Sequence, residues 1–195
     1  MPNLMVVIAS TRPGRVGLPV GRWIHQRALD HGAFDVDLVD LAELALPFMD
    51  EPHHPRLRRY QHEHTKRWSA RVARAGAFVF VTPEYNHGYN APLKNAIDYL
   101  IHEWEHKPVG FVSYGGVAAG TRAVQQLKPV LSSLKMTPVI EAVYIPFVQQ
   151  FLDHDRRFVP SETTEAAATA MLDHITRWEA VLRPLRADAT ETAAP

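Results

Sequence analysis

Two arginines three residues apart, Arg12 and Arg15, lie in the loop Ser10 to Gly17 (STRPGRVG). Each guanidinium can pair with phosphate oxygens through two parallel hydrogen bonds. Ser10 and Thr11 add hydroxyl donors. The loop follows an unbroken apolar run, Leu4 to Ala9, and precedes helical spacing with Val16, Val20, Trp23, Ile24 and Ala28 on one face. A turn from a buried strand into a helix offers free backbone N–H groups and a helix dipole, which together make an anion site. The loop is not a Walker motif, because no Gly-Lys-Ser/Thr follows. It is not G-x-G-x-x-G either, which disfavours a standard NAD fold. The plain alternative is a turn with two solvated arginines.

A second loop, Thr82 to Asn90 (TPEYNHGYN), follows the buried run Ala77 to Val81. Pro83, Glu84, Tyr85, Asn86, His87 and Gly88 place an aromatic ring, an amide and a glycine turn where a ligand should lie. A flat heteroaromatic ring binds such a loop through backbone N–H groups at its polar edge and side chains against its faces. Alternatively, Tyr85 and Tyr89 are packing aromatics and Asn86 holds a turn. Lys94 reads as a helix-surface charge. A third loop, Ser113 to Gly120, contains Gly115, Gly116 and Gly120. Glycine lets backbone approach a ligand closely, but such loops are common at strand ends.

The elements around these loops alternate, β-α-β-α-β-α-β-α-β-α. That rhythm means an α/β chain with a parallel sheet and helices on both faces. Five strands favour the flavodoxin-like three-layer sandwich with sheet order 2-1-3-4-5. Phe34 to Val39 alternates as an edge strand does, and Thr137 to Ile145 reads as the fifth strand. Asp40 to Tyr60 is irregular, with Pro47, Pro52 and Pro55. Pro129 falls inside the helix Thr121 to Lys135, where it should kink the axis. Ser161 caps a long last helix, whose stripe at Met171, Ile175, Trp178 and Leu182 suits either a coiled-coil seam or a cover for the sheet. Ligands bind such sheets at the carboxyl ends of the strands, near the switch point between strands one and three. The three loops converge there.

Composition narrows the chemistry. The chain has 195 residues, 21 Lys+Arg against 21 Asp+Glu, and no cysteine. One domain is expected over 1–185, with a flexible tail at 186–195. Zero net charge argues against a general nucleic-acid binder. The missing cysteine excludes disulfide scaffolds, Cys-ligated metals and thiol nucleophiles. Leu4 to Ala9 is too short for a signal peptide, and no run reaches the roughly 18 apolar residues of a membrane helix. A cytoplasmic protein with no membrane partner is expected.

Three stretches, VVIASTRPGRVG, TPEYNHGYNAPLKNAIDYL and VGFVSYGGVAAGTRAV, closely resemble the NADPH-dependent FMN reductase family. This flavodoxin-like group includes quinone, azo-dye and chromate reductases. The resemblance runs from about Leu4 to the last helix, and its second stretch is the most specific. It implies bound FMN, with NADPH or NADH as co-substrate. By position, Ser10, Thr11, Arg12, Arg15, Val16 and Gly17 would hold the phosphate. Pro83, Glu84, Tyr85, Asn86, His87 and Gly88 would line the isoalloxazine, and Ser113, Tyr114, Gly115 and Gly116 would meet its pyrimidine side. Hydride would pass from the nicotinamide to flavin N5 and on to a small-molecule acceptor, a quinone or another flat aromatic or flavin. No general acid or base is implied. Family members form homodimers or homotetramers, often through the helix that begins near Ala91. The excursion Pro146 to Pro160, around Phe147 to Phe151, is outside the shared motifs. Two rivals stand beside this reading: a flavodoxin-like electron carrier, and a non-catalytic FMN-binding module acting on a protein partner. Carriers usually have acidic surfaces, and the neutral sum speaks against one.

His53, His54, His62 and His64, with Glu51 and Glu63, invite a metal site. Zinc wants a defined tetrahedral set, whereas this stretch is Pro-broken and carries Arg56, Arg58 and Arg59. A solvated loop leading into a helix fits it better. Arg58 and Arg59 could instead face the adenosine phosphate of NADPH.

Overall fold

The computed structural model describes residues 1–191, with side chains described as far as Arg186. Strands β1 (Asn3–Ile8), β2 (Asp35–Asp40), β3 (Ala77–Pro83), β4 (Pro108–Tyr114), β5 (Thr137–Pro138) and β6 (Val143–Ile145) form one sheet. Its order is β2-β1-β3-β4-β5, with β6 also pairing with β4. Every pairing is parallel. Ile8 is level with Val81, and Val81 with Val112, so three strands end on one edge.

The helices are α1 (Gly17–His31), α2 (Leu41–Leu44), α3 (Glu63–Arg74), α4 (Ala91–Asp98), α5 (Thr121–Ser133) and α6 (Glu162–Glu191). Side chains alternate between sheet faces, and the core divides accordingly. Met5, Val7, Phe78, Phe80 and Phe111 pack with Trp68, Leu93 and Val124 from α3, α4 and α5. Leu4, Val6, Val79, Val81 and Val112 pack with Val20, Ile24, Met171 and Ile175 from α1 and α6. This is the three-layer sandwich expected from the alternating elements.

Helix α6 covers the sheet rather than offering a coiled-coil seam. At Gly110 of β4 an added Cβ would lie 2.7 Å from Ile175 Cδ1 and 2.7 Å from Met171 Sδ, so the helix seats on bare backbone. Trp178 is left partly exposed. The helix also continues past Arg186, where a tail was expected. Arg186 is held by Glu179 Oε1 at 2.6 Å and by the His106 carbonyl at 2.9 Å. Residues 192–195 of the expected tail lie outside the described residues.

The fifth strand differs from expectation. It is two short pieces, β5 and β6, and not one run from Thr137 to Ile145. Pro138 has no N–H to donate to a ladder. After Val139 donates to the Val109 carbonyl at 2.9 Å, the chain swings outward. Ile140 becomes exposed, and Glu141 pairs with His174 of α6 at 2.7 Å. Helix α5 runs to Ser133 with Pro129 inside it.

Candidate functional site

A cavity of about 460 Å³ opens at the carboxyl ends of β1, β3, β4 and β6. Four segments line it.

The first is the turn from β1 into α1. Ala9 N–H donates to the Val81 carbonyl at 3.0 Å, which ties the turn to β3. Ser10 is buried, with its Oγ 3.0 Å from the Tyr85 hydroxyl. Arg15 N–H donates to the Arg12 carbonyl at 3.1 Å, closing a turn in which Gly14 takes φ +67°. Arg12 is exposed on the cavity wall. Arg15 pairs with the Asp40 carboxylate at the end of β2. Asp40 is anchored in turn, because it accepts Ala42 N–H at 3.0 Å and so caps α2. Arg15 is therefore shared between the cavity and a carboxylate, and is not free as the sequence suggested. Val16 lines the cavity and Gly17 begins α1. Thr11 departs from expectation. It lines a separate recess between α2 and α4.

No side chain caps α1, and its first turn holds no acidic residue. Its leading N–H groups lack intrahelical partners and its dipole is uncompensated at that end. Beside it, the buried Arg15 Nε makes no hydrogen bond, and the buried Tyr114 hydroxyl is hydrogen-bonded to Ser10.

The second segment is the loop after β3. Tyr85 N–H donates to the Gly88 carbonyl at 2.9 Å, and Gly88 N–H donates back at 3.0 Å. Asn86 and His87 between them take φ +49° and +70°. Two consecutive left-handed residues make the type I′ hairpin turn, which usually carries glycine. Glu84 holds this strained turn from the side. Its carboxylate pairs with Arg122 and also accepts Arg122 N–H at 3.2 Å, in the first turn of α5. Arg122 Nη1 then donates to His87 Nε2 at 2.9 Å. Pro83, Glu84 and Tyr85 line the cavity, whereas Asn86, His87 and Gly88 shape the turn without lining it.

The third segment is the loop after β4. Ser113 does not line the cavity. It is buried and donates to the Ala119 carbonyl at 2.8 Å, closing the glycine loop. Gly115 and Gly116 do line it. Gly120 takes φ +80°, and an added Cβ would press on Tyr114 N at 2.9 Å, so glycine is required there. Tyr114 was expected on the pyrimidine side of a flavin. Its ring instead reaches the phosphate turn, where an added Cβ at Gly17 would clash with its hydroxyl. Burial holds that phenol above its ordinary pKa, opposed by a hydrogen bond with Ser10 and by Arg15, with Tyr85 adding to the rise.

The fourth segment was not foreseen. Phe147, Val148, Gln149 and Gln150 line the cavity from the arm after β6. The available signal was positional: the arm leaves a strand at the ligand-binding edge. Arg122 and Asp40 were also missed, since each acts through a partner far away in sequence.

The histidine-rich stretch is a bonded loop. His64 Nε2 is 3.0 Å from Asp50 Oδ1, His62 stacks on His64 at 5.2 Å, and His54 Nδ1 accepts Arg56 N–H. No group of three or more His, Cys, Asp or Glu is gathered for a metal among the described residues. The Arg56 carbonyl lies 3.0 Å from His102 Nε2, just beyond the far end of α4. That end faces away from the cavity, so Arg58 and Arg59 stand apart from it within this chain.

The residues present fit the flavin mononucleotide that the resemblance implies. An uncapped helix end, an exposed arginine and a partnerless buried guanidinium nitrogen suit a phosphomonoester, which carries a charge of about −1.5 to −2. A braced turn and two glycines suit the flat ring.

Comparison with known proteins agrees with this chemistry. The sequence profile described as NADPH-dependent FMN reductase matches residues 2–150. An NAD(P)H-dependent FMN reductase of Schizosaccharomyces pombe is 42% identical over 149 residues, 74% of each chain. A probable NADPH:quinone oxidoreductase of Oryza sativa is 40% identical over 63 residues, 31% of this chain and 32% of that one. Among solved structures, a flavoenzyme NAD(P)H:acceptor oxidoreductase of Paracoccus denitrificans has the same fold. Its TM-score is 0.73 at 21% identity, covering 92% of this chain and 97% of that one.

Proposed function

Because this chain belongs to the NADPH-dependent FMN reductase family, we propose that it is an FMN-dependent NAD(P)H oxidoreductase whose acceptor is a quinone or similar flat aromatic or flavin. The observation that carries this reading is the uncapped start of α1 beside the partnerless, buried Arg15 Nε. FMN, when bound, supplies a two-electron relay between a nicotinamide and an acceptor.

The chain's own residues bind and orient. The α1 N-terminus and Arg12 hold the phosphate, and Arg15 is steadied for the same task by Asp40. The Tyr114 hydroxyl gives its hydrogen bond at that end. The turn at Tyr85–Gly88, braced by Glu84 and Arg122, fixes the ring. Glycine at 115 and 116 keeps the wall low, so nicotinamide and acceptor can use one opening in succession. No side chain is assigned a proton-transfer role.

We take the protein to be cytoplasmic and homodimeric. An apolar recess of about 390 Å³ between α2 and α4, beside the largely exposed Phe48, supports a self-association face. Light scattering on the purified protein tests that point.

The main test is direct. FMN is added to purified protein, and the absorbance of the protein fraction is recorded after gel filtration. Oxidation of NADPH and of NADH is then followed with a quinone present. Retained flavin with turnover is expected. A fraction that stays colourless overturns the reading. Retained flavin with no nicotinamide oxidation favours the electron carrier.

A further inference from the structure

The arm after β6 lies mostly beyond the family match, which stops at residue 150. It is nevertheless built into the site. Residues 151–159 form a small hairpin. Leu152 bridges Phe158, and Val159 N–H donates to the Phe151 carbonyl at 2.8 Å. Phe158 packs on Trp23 of α1 with ring centroids 5.1 Å apart, and Phe151 packs on Phe158. Arg156 donates to the Gly14 carbonyl at 3.2 Å. The hairpin is thus fixed to the helix and turn that would hold the phosphate.

The start of the arm is fixed to the glycine loop. Phe147 N–H donates to the Gly116 carbonyl and Val148 N–H to the Gly115 carbonyl, each at 3.2 Å. Phe147 takes φ +45°, a left-handed conformation that a bulky residue adopts only under constraint. The consequence is a division of labour. Val148 turns inward and is buried, while the Phe147 ring stays at the cavity, 50% exposed. Packing of the arm already rests on Val148, Phe151 and Phe158. Strain that keeps a large apolar ring half in water at a ligand cavity is a functional outlier.

We propose that Phe147 is the stacking platform for the flat acceptor, and so a specificity-determining residue. The inference rests on the reading of the site as a flavin reductase. Tyr85, 40% exposed, is the other partly exposed aromatic ring on this cavity. It arrives from the β3 loop, whereas Phe147 arrives from the β6 arm, so two separate segments each bring an aromatic face to one opening. An aromatic face selects planar acceptors through offset stacking beyond mere burial.

The test uses the oxidised, FMN-loaded protein without nicotinamide, so nothing turns over. The dissociation constant of 1,4-naphthoquinone is measured by calorimetry for the parent chain and for Phe147→Ala, Phe147→Leu and Phe147→Trp. FMN affinity of each is measured separately by flavin fluorescence. A rise in the quinone constant of about fivefold or more for Ala and for Leu is expected. Trp should stay within about twofold of the parent, and FMN affinity should change by less than about twofold throughout. Leucine keeps the bulk but loses the π-face, so a Leu variant that binds quinone like the parent overturns the proposal. So does a parallel loss of FMN affinity, which would mean a structural role. A parent chain that binds FMN but not naphthoquinone overturns this inference alone. A parent that binds no FMN overturns the function as well.

Discussion

Arg122 grips the Glu84 carboxylate twice, through its guanidinium and through its backbone N–H at 3.2 Å. The central strand's loop is thereby bound to the first turn of α5. The same guanidinium reaches His87, so a turn with two left-handed residues is held from one side by one cation. Charge-assisted bonds of this kind are about twice as strong as neutral ones. Arg122→Ala and Glu84→Gln should each weaken FMN binding about tenfold, read by flavin fluorescence titration. The double variant should lose little more than either single one, because both cut the same brace.

Tyr114 should matter to both the free and the loaded protein. Its buried hydroxyl is hydrogen-bonded to Ser10, and such a bond contributes about 0.5–1.5 kcal/mol. Tyr114→Phe should therefore lower the melting temperature of the flavin-free protein and also loosen FMN. Calorimetric scans with and without FMN check this. An unchanged or higher melting temperature without flavin would contradict it.

The phosphate end is separable from the ring end. Arg12→Ala should weaken FMN binding about fivefold to tenfold while leaving riboflavin, which has no phosphate, nearly unchanged. Arg15 behaves differently because Asp40 holds it. Asp40→Asn can still cap α2 but leaves a mostly buried guanidinium without its counter-charge, so a stability loss of about 3 kcal/mol is expected in urea.

How much of this was legible differs from element to element. Leu4 to Ala9 and Ala77 to Val81 announce central strands because helices cover both faces of the sheet, so neither side needs polar residues. The switch-point rule then locates the cavity without further help. What the sequence hides is pairing at long range. Asp40 follows Arg15 by 25 residues and Arg122 follows Glu84 by 38, and only the folded chain brings them together. Tyr114 shows the same limit. Its place beside a glycine loop puts it near the cavity, but only the folded chain brings its hydroxyl against Gly17. The outer strand read as continuous because apolar residues run through it. Ile140 breaks that pattern by turning outward beyond Pro138.

Lys107 supplies a test by pH that does not involve the cavity. It is buried and donates to the Val72 and Ala73 carbonyls at 2.9 and 3.2 Å, at the end of α3. Burial pushes its pKa down from 10.5 to about 7, with Arg186 adding to the fall and Glu103 opposing it. Between those values the unfolded chain binds more protons than the folded one, so stability rises with pH across that window. The penalty for the buried charge is full below about pH 7 and relieved on approach to pH 10.5. From pH 7 to 9.5 the parent chain should gain on the order of 2 kcal/mol over Lys107→Met, measured by urea unfolding at both pH values.

The interrupted outer strand also bears on solubility. A sheet edge with a long row of unpaired N–H and C=O groups is a template for another chain. Here β5 has two residues and β6 three, and between them Pro138 and the outward turn at Ile140 spoil the row. A neighbouring strand would lose register before it gained a ladder. At the opposite edge, β2 carries Asp35, Asp37 and Asp40, paired with the N-terminal amine, Arg71 and Arg15, so charged side chains flank the open ladder. Both margins of the sheet are therefore poorly suited to edge-to-edge aggregation.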